Sequence, residues 1–353
     1  MKKMMRFLIP MGLLFFVFLL LQNPTCSSEA IRSGLQVCSN SILPTLFPFF
    51  VLTELWISLG YAGAMSHLLG PLTQRLFHLP GNAASALVLG AVGGYPIGAA
   101  TASKLYEDGQ LTKFEAQYCL FFCNNAGPAF IVGFVGGVIF QNVALGYLLW
   151  GIHLVAAILL GFLFRPATNF KQSTVNKLSA NQVPFLPALT EAIRRGGTTA
   201  LQVCIFVLFF SVVTAQLGQY PPSSPVTSLL LASLELAGGI SKLSALGLPP
   251  TVQLVLYSGL LGWGGLCVHC QSLSILSRAG LHTSSYLLGK AAHCLVSTAL
   301  ACLIVPWAVN TVPCFAPAMG HNLFLILLPW LLFFLPIKLP LEKRKEIRYN
   351  KAK

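Results

Sequence analysis

Charge is what this sequence has least of. Only 9% of its 353 residues are charged, nine of them acidic and 22 basic. A soluble domain has about a quarter of its residues charged. With 55% hydrophobic residues and a mean hydropathy of +0.75, the chain reads as an integral membrane protein. The shortage of acidic residues leaves a net charge of +13. That charge is not gathered into a basic domain, which excludes nucleic acid as the partner. It collects at the two ends (Lys2, Lys3, Arg6; Lys338 and Lys343 to Lys353) and in the stretch from Arg165 to Lys177. Charges beside membrane spans set orientation and attract anionic lipid. Membrane lipid is therefore the partner they imply.

Metal-binding and catalytic patterns are missing too. Of ten cysteines, most lie in apolar runs, among them Cys119, Cys123, Cys204, Cys294 and Cys302. Free cysteine in such a run behaves as a small hydrophobe, so no disulfide framework is expected. Cys267-Val268-His269-Cys270 has CxxC spacing, but a zinc site needs about four ligands. No second CxxC and no HxxxH is present. No GxSxG, HExxH or Walker A pattern occurs either. The expectation is no metal, no cofactor and no enzyme.

What the sequence has in place of charge is broken hydrophobicity. Gly93-Gly94-Tyr95-Pro96-Ile97-Gly98 and Phe122-Cys123-Asn124-Asn125-Ala126-Gly127-Pro128-Ala129-Phe130 both sit inside apolar runs. Proline removes a backbone donor and glycine loosens the helix. In hydrocarbon, freed backbone groups persist only where protein or a water-lined cavity satisfies them. Two interrupted membrane helices meeting at a polar site, over Ala83 to Thr101 and Gln117 to Phe140, are therefore expected, as in transporters.

The rest of the chain falls around these segments. Met1 to Leu21 resembles a signal peptide without a cleavage site and is read as a retained first span. Glu29 to Cys38 suits an interfacial helix leading into a span from Ile42 to Leu59. Tyr61 to Gly81 is more polar and fits the interface. Asp108-Gly109 signals a turn, and Thr112 with Glu115 fits a capping box. Val143 to Phe164 is long enough to cross. Arg165 to Pro187 has three basic residues and no acidic ones, so it prefers the cytoplasm, as do both termini.

A repeat then divides the chain. Glu191-Ala192-Ile193-Arg194-Arg195-Gly196 copies Glu29 to Gly34 at five of six positions, and Leu201-Gln202-Val203-Cys204 copies Leu35 to Cys38 in full. Gly197 to Ala200 are inserted between the two pieces, about one helical turn. The second part follows the first in outline, with a span over Leu201 to Leu217. Gly238-Gly239 stands for Gly93-Gly94, and Gly262-Trp263-Gly264-Gly265 stands for Asn125 to Pro128. Spans near Tyr286 to Val305 and His321 to Leu335 precede the basic tail. The expected architecture is an all-α polytopic membrane protein with two homologous halves and about eight spans or re-entrant segments. Its parts are a first span (1–28), a first repeat (29–165), a basic linker (166–190), a second repeat (191–337) and a cytoplasmic tail (338–353).

These paired motifs, together with Leu105 to Gly109, Leu234 to Ile240 and Trp263 to Gln271, resemble the YlbJ-type sporulation integral membrane proteins. Those proteins lie in the wider group that carries the nucleoside-recognition, or Gate, domain. Cys270 departs from the resemblance, standing where a larger apolar residue is expected. The resemblance implies an endospore-forming bacterium, a role in spore formation and two Gate-like repeats. Gate domains also occur in concentrative nucleoside transporters and in ferrous-iron transporters, which implies passage of a small solute. The word nucleoside does not by itself carry over to this chain.

The candidate solute-binding residues are Tyr95, Asn124, Asn125, Gly127, Pro128, Glu235, Gly239, Gly264, Gly265, His269 and Gln271. Glu235 leads, because a carboxylate among leucines is costly unless it faces protein or water. Its alternative is an ion pair with Lys242 or Lys290. Asn124 and Asn125 either bind solute or cap a broken helix. His269 and Gln271 point about 200° apart on one helix, so only His269 is a ligand candidate unless the helix breaks there. Tyr95 and Pro96 shape the break. His153 and His293 read as lone packing histidines. The function expected is a transporter or channel for a small polar solute in the cell membrane. The alternative is a scaffold that docks other sporulation membrane proteins.

Overall fold

The computed structural model describes residues 2–166, 184–219 and 224–311, and among these there are helices and no strands. The expected last span, the basic tail and most of the linker lie outside the described residues. Helix α1 (Lys2–Gln22) meets α2 (Pro24–Val37) at a bend of 93°, where Asn23 leaves the helix and Pro24 restarts it. A π-helical turn, Cys38–Ile42, leads into α3 (Leu43–Ser58) and then α4 (Ala62–Phe77). The amphipathic helix expected over Glu29 to Cys38 is thus the larger part of α2.

Among the described residues, four helices are long and apolar enough to cross a membrane: Val143–Leu163, Phe185–Leu217, Pro250–Arg278 and Thr283–Val309; the bent pair α1–α2 makes a fifth. They contain α8 (Val143–Leu163), α9 (Phe185–Leu217), α12 (Pro250–Trp263), α13 (Gly265–Arg278) and α14 (Thr283–Thr311). The α12–α13 rod is the centre. Protein buries 83% of its apolar window, against 39–44% for the other three. Helix α9 begins at Phe185, so the last residues expected in the linker are its first turns. The repeated Glu191 motif lies inside a 33-residue helix rather than at its start.

Between the long helices lie short apolar ones. Helix α5 (Ala83–Gly93) and α6 (Ile97–Glu107) have 11 residues each, and α10 (Pro225–Leu234) and α11 (Leu236–Ser244) have 10 and 9. An 11-residue helix is about 16 Å long, roughly half of a ~30 Å hydrocarbon layer. Neither pair is the interrupted straight helix that the sequence suggests. A Cβ at Gly90 would lie 2.9 Å from the Gly98 Cα, and one at Gly239 would overlap the Ala232 Cα. Residues seven or eight apart touch only if the chain doubles back, so both pairs are helical hairpins. The first tip is Gly94-Tyr95-Pro96, with Gly94 at φ 85° and a cis Tyr95-Pro96 bond. The second tip is Glu235 in extended conformation, three residues before the expected Gly238-Gly239 break. Gly239 serves close packing instead.

The second interrupted segment is as expected. Thr112 and Glu115 form the capping box that opens α7 (Lys113–Cys119). Non-helical backbone follows, and a π-helix runs over Ala129–Ile139. In the rod the break is the single residue Gly264, at φ 90°.

Apolar packing seats these parts. Ile131, Val135, Leu145, Leu149, Leu254 and Leu260 form a core where the π-helix, α8 and α12 meet. Phe77, Ala99, Leu105, Leu120 and Leu160 form a second under the first hairpin. Cys38, Phe50, Val203 and Val207 join α3 to α9. The two copies of the repeated motif meet there, with Cys38 Sγ 3.9 Å from the Cys204 carbonyl oxygen. A Cβ at Gly98 would overlap the Cys123 carbonyl oxygen, whereas one at Gly133 meets nothing within 4 Å. Gly98→Ala should therefore cost about 1–3 kcal/mol and lower the melting temperature in detergent, with Gly133→Ala neutral. Equal melting of the two variants would show that the first hairpin does not close on the break segment.

Candidate functional site: a core where four chain breaks meet

The four breaks converge. A Cβ at Gly94 would lie 2.8 Å from the Gly127 amide nitrogen, which seats the first hairpin tip on the break 120–128. One at Gly264 would lie 3.5 Å from the Tyr95 ring, and one at Gly265 3.4 Å from the Leu234 carbonyl oxygen beside Glu235. Gly94, Gly127, Gly264 and Gly265 allow backbone to approach backbone where a side chain would hold it off.

Asn124 is the junction. Its Oδ1 accepts from Ala99 N–H at 3.2 Å, capping α6. Its Nδ2 donates to Ser272 Oγ of α13 at 3.1 Å and reaches the Tyr286 hydroxyl of α14 at 3.5 Å. Its carbonyl accepts from Lys290 Nζ at 3.1 Å. One side chain therefore ties the first hairpin, the break, the rod and α14. The two roles weighed for it, cap and polar contact, coincide. Asn125 Nδ2 donates to the Phe122 carbonyl, while its Oδ1 is buried without a partner.

His269 and Gln271 separate as helical geometry requires. The His269 ring packs edge-on to Trp263 and its Nδ1 lies 3.1 Å from the Tyr286 hydroxyl; its Nε2 is buried without a partner. Gln271 turns back to Cys267 Sγ and does not join His269. Trp263 fixes the second tip by donating to the Ser233 carbonyl. Tyr95 donates to the Leu261 carbonyl at 3.4 Å. Pro128 opens the π-helix as its N-cap residue.

Glu235 differs from its expected alternative. No ion pair joins it to Lys242 or Lys290 among the described residues. Its two carboxylate oxygens accept from Ala237 N–H at 2.9 Å and Gly238 N–H at 2.7 Å. A carboxylate at a helix N-terminus is stabilised by the free amides and the helix dipole. Two amides of α11 thus bond the carboxylate that the sequence leaves without a partner.

Lys290, which the sequence offers only as a possible partner for Glu235, belongs to the site itself. It is 1% exposed, and the ion pairs among the described residues are Lys104–Asp108, Arg194–Glu191 and Arg195–Glu191 only. Its Nζ lies 5.4 Å from the Tyr95 ring centroid, a cation–π distance. A buried cation needs partners, and this one has a carbonyl and an aromatic face. His153 and His293 are also not lone packing residues. Their ring centroids are 4.3 Å apart, and His293 Nε2 donates to the His153 carbonyl at 3.0 Å. The only sequence clue to the lysine was its position in an apolar run from Tyr286 to Val305 with no acid within it.

Together the fold and site define a polytopic helical membrane protein whose re-entrant hairpins close on a buried polar core. Residues 40–139 match the family model described as Gate, nucleoside recognition, and the first hairpin and the break 120–128 lie within the matched residues. The chain is similar to a named protein as well. It is 26% identical over 317 residues to the Sporulation integral membrane protein YlbJ of Bacillus subtilis (strain 168), covering 78% of each chain. No solved structure matches.

Replacing a buried charge that lacks an ionic partner by an apolar group of like volume relieves desolvation. Lys290→Met should therefore raise stability by about 1–4 kcal/mol, read as a higher melting temperature in detergent. A fall of similar size would make Lys290 a structural tie instead.

Proposed function

We propose that this protein moves a small polar solute across a membrane through the core where the breaks meet, and that it does so during spore formation. The observation that carries this reading is the buried Lys290 with no acidic partner among the described residues, set among four chain breaks. Non-helical backbone at membrane depth is typical of binding sites in transporters, and intramembrane ionisable residues default to function. Relatives of the YlbJ type supply the sporulation context.

The geometry also favours one kind of solute group. Lys290 Nζ can donate two further hydrogen bonds. The N-terminus of α13 begins at Gly265 with no side-chain cap and adds partial positive charge. Tyr95 lies between the two. A solute carrying a carboxylate or phosphate would supply the missing counter-charge. The repeated motifs meeting at Cys38 and Cys204 support a duplicated chain, and two units that rock against each other would expose the core to either side.

The test is a thermal-shift series on the detergent-solubilised full-length protein with inorganic phosphate, succinate and uridine. A probe near 100 times its Kd stabilises by about 2.7 kcal/mol. The acids should raise the melting temperature of wild type and of Glu235→Gln, and leave Lys290→Met unmoved. A shift with uridine alone would keep the solute site and discard the charge argument. No shift with any probe, while Asn124→Ala melts like wild type, would replace transport by the scaffold reading.

A further inference from the structure

We propose that Asn125 selects the solute: its side-chain oxygen accepts from an O–H or N–H carried beside the anionic group that Lys290 holds. The proposal rests on the reading that an acidic solute enters this core. Which end of the amide is free follows from its neighbour. The Phe122 carbonyl can only accept, so the Asn125 atom facing it at 3.0 Å is the Nδ2 donor. The opposite end is Oδ1, an acceptor, buried without a partner in a residue 3% exposed. The bond from Nδ2 already serves the broken helix, and it makes no use of Oδ1. A buried acceptor left unpaired costs free energy, and it calls for a reason beyond packing.

The neighbouring groups of the break are taken. The Asn124 side chain is bonded at both ends, to Ala99 N–H and to Ser272 Oγ. The Ala126 amide donates to His153. The Asn124 carbonyl accepts from Lys290 Nζ at 3.1 Å, and that ammonium keeps further donors. The spare acceptor and the spare donors therefore hang from one peptide plane, the one joining Asn124 to Asn125. Covalent reach keeps Asn125 Oδ1 and Lys290 Nζ within about 10 Å of each other, and no bond joins them. A small anion hydrogen-bonded at both ends, at about 2.8 Å each, spans such a gap.

The two ends ask for different atoms. Lys290 brings positive charge and donors, so it takes an anionic oxygen. Asn125 Oδ1 brings only lone pairs, and a second bare anionic oxygen set against it is repelled. The solute that satisfies both is an acid with a donor beside its charge. A hydroxy acid fits, and so does a phosphate, which keeps a proton at neutral pH. Acetate and sulfate carry the charge without the donor. A site built to bond a donor rejects the analogue that lacks it, because the buried acceptor then stays unpaired.

The test is isothermal titration calorimetry of the detergent-solubilised full-length protein at neutral pH, with phosphate against sulfate and glycolate against acetate. In wild type the first of each pair should bind about tenfold more tightly, about the worth of one buried hydrogen bond. In Asn125→Leu the ratio within each pair should fall to about one, and Lys290→Met should bind none of the four. A preference in one pair alone supports the proposal and names the donor, phosphate hydroxyl or alcohol. Equal affinities within both pairs in wild type overturn it and leave the anion site standing. A preference that persists in folded Asn125→Leu overturns it too, by assigning the acceptor to another group. Binding of none of the four by wild type removes the anion site itself, and this proposal with it. The wild-type ratios carry the decision where the variant fails to fold.

Discussion

A backbone amide or carbonyl freed in hydrocarbon has no water to turn to, and every feature of this core follows from that constraint. Four breaks at different depths would each need their own partners. Brought together, they satisfy one another. Asn124 caps α6 and accepts Lys290 through its own carbonyl, Glu235 caps α11, and Trp263 and Tyr95 donate to carbonyls left over at Ser233 and Leu261. Glycine at the contact points is what permits the convergence. What remains includes a lysine without an acid among the described residues and buried, unpartnered polar atoms on Asn125, His153 and His269.

The two hairpin tips reach the same place by different chemistry. The first uses glycine and proline and borrows its cap from Asn124, across 25 residues of sequence. The second uses a carboxylate to cap its own next helix. One tip is thereby fixed by the rest of the core, and the other is largely self-contained. The rod holds both, because the kink at Gly264 brings Trp263 toward the second tip and leaves Gly264 open to Tyr95.

Much of this was legible before any coordinates. Gly-Gly-Tyr-Pro and Asn-Asn-Ala-Gly-Pro mark breaks because proline and glycine act locally, and Thr112 with Glu115 marks a helix start for the same reason. The Glu29 and Glu191 copies are visible to simple comparison. Doubling back is not local: Ala83 to Thr101 has the same composition whether its halves run on or fold together, and only the Gly90–Gly98 contact decides. The bonds to Glu235 were not legible because a carboxylate among leucines looks uncompensated until its own following amides turn toward it. Lys290 and the pairing of His153 with His293 were missed or undervalued because the Asn124 carbonyl lies 166 residues from Lys290 and the two histidines lie 140 residues apart.

The half-length hairpins have a consequence for how the chain is assembled. A segment of ten or so apolar residues is too short to be held across a bilayer by itself, and its open tip could not stay in lipid. The hairpins must therefore enter after the long helices have built a protein-lined place for them. Residue order suits this poorly for the first hairpin, since α12 and α14 are synthesised after it. The first hairpin must wait near the membrane surface until the second part of the chain is made. The rod and α14, which follow the first hairpin in the chain, are what it needs in order to be seated.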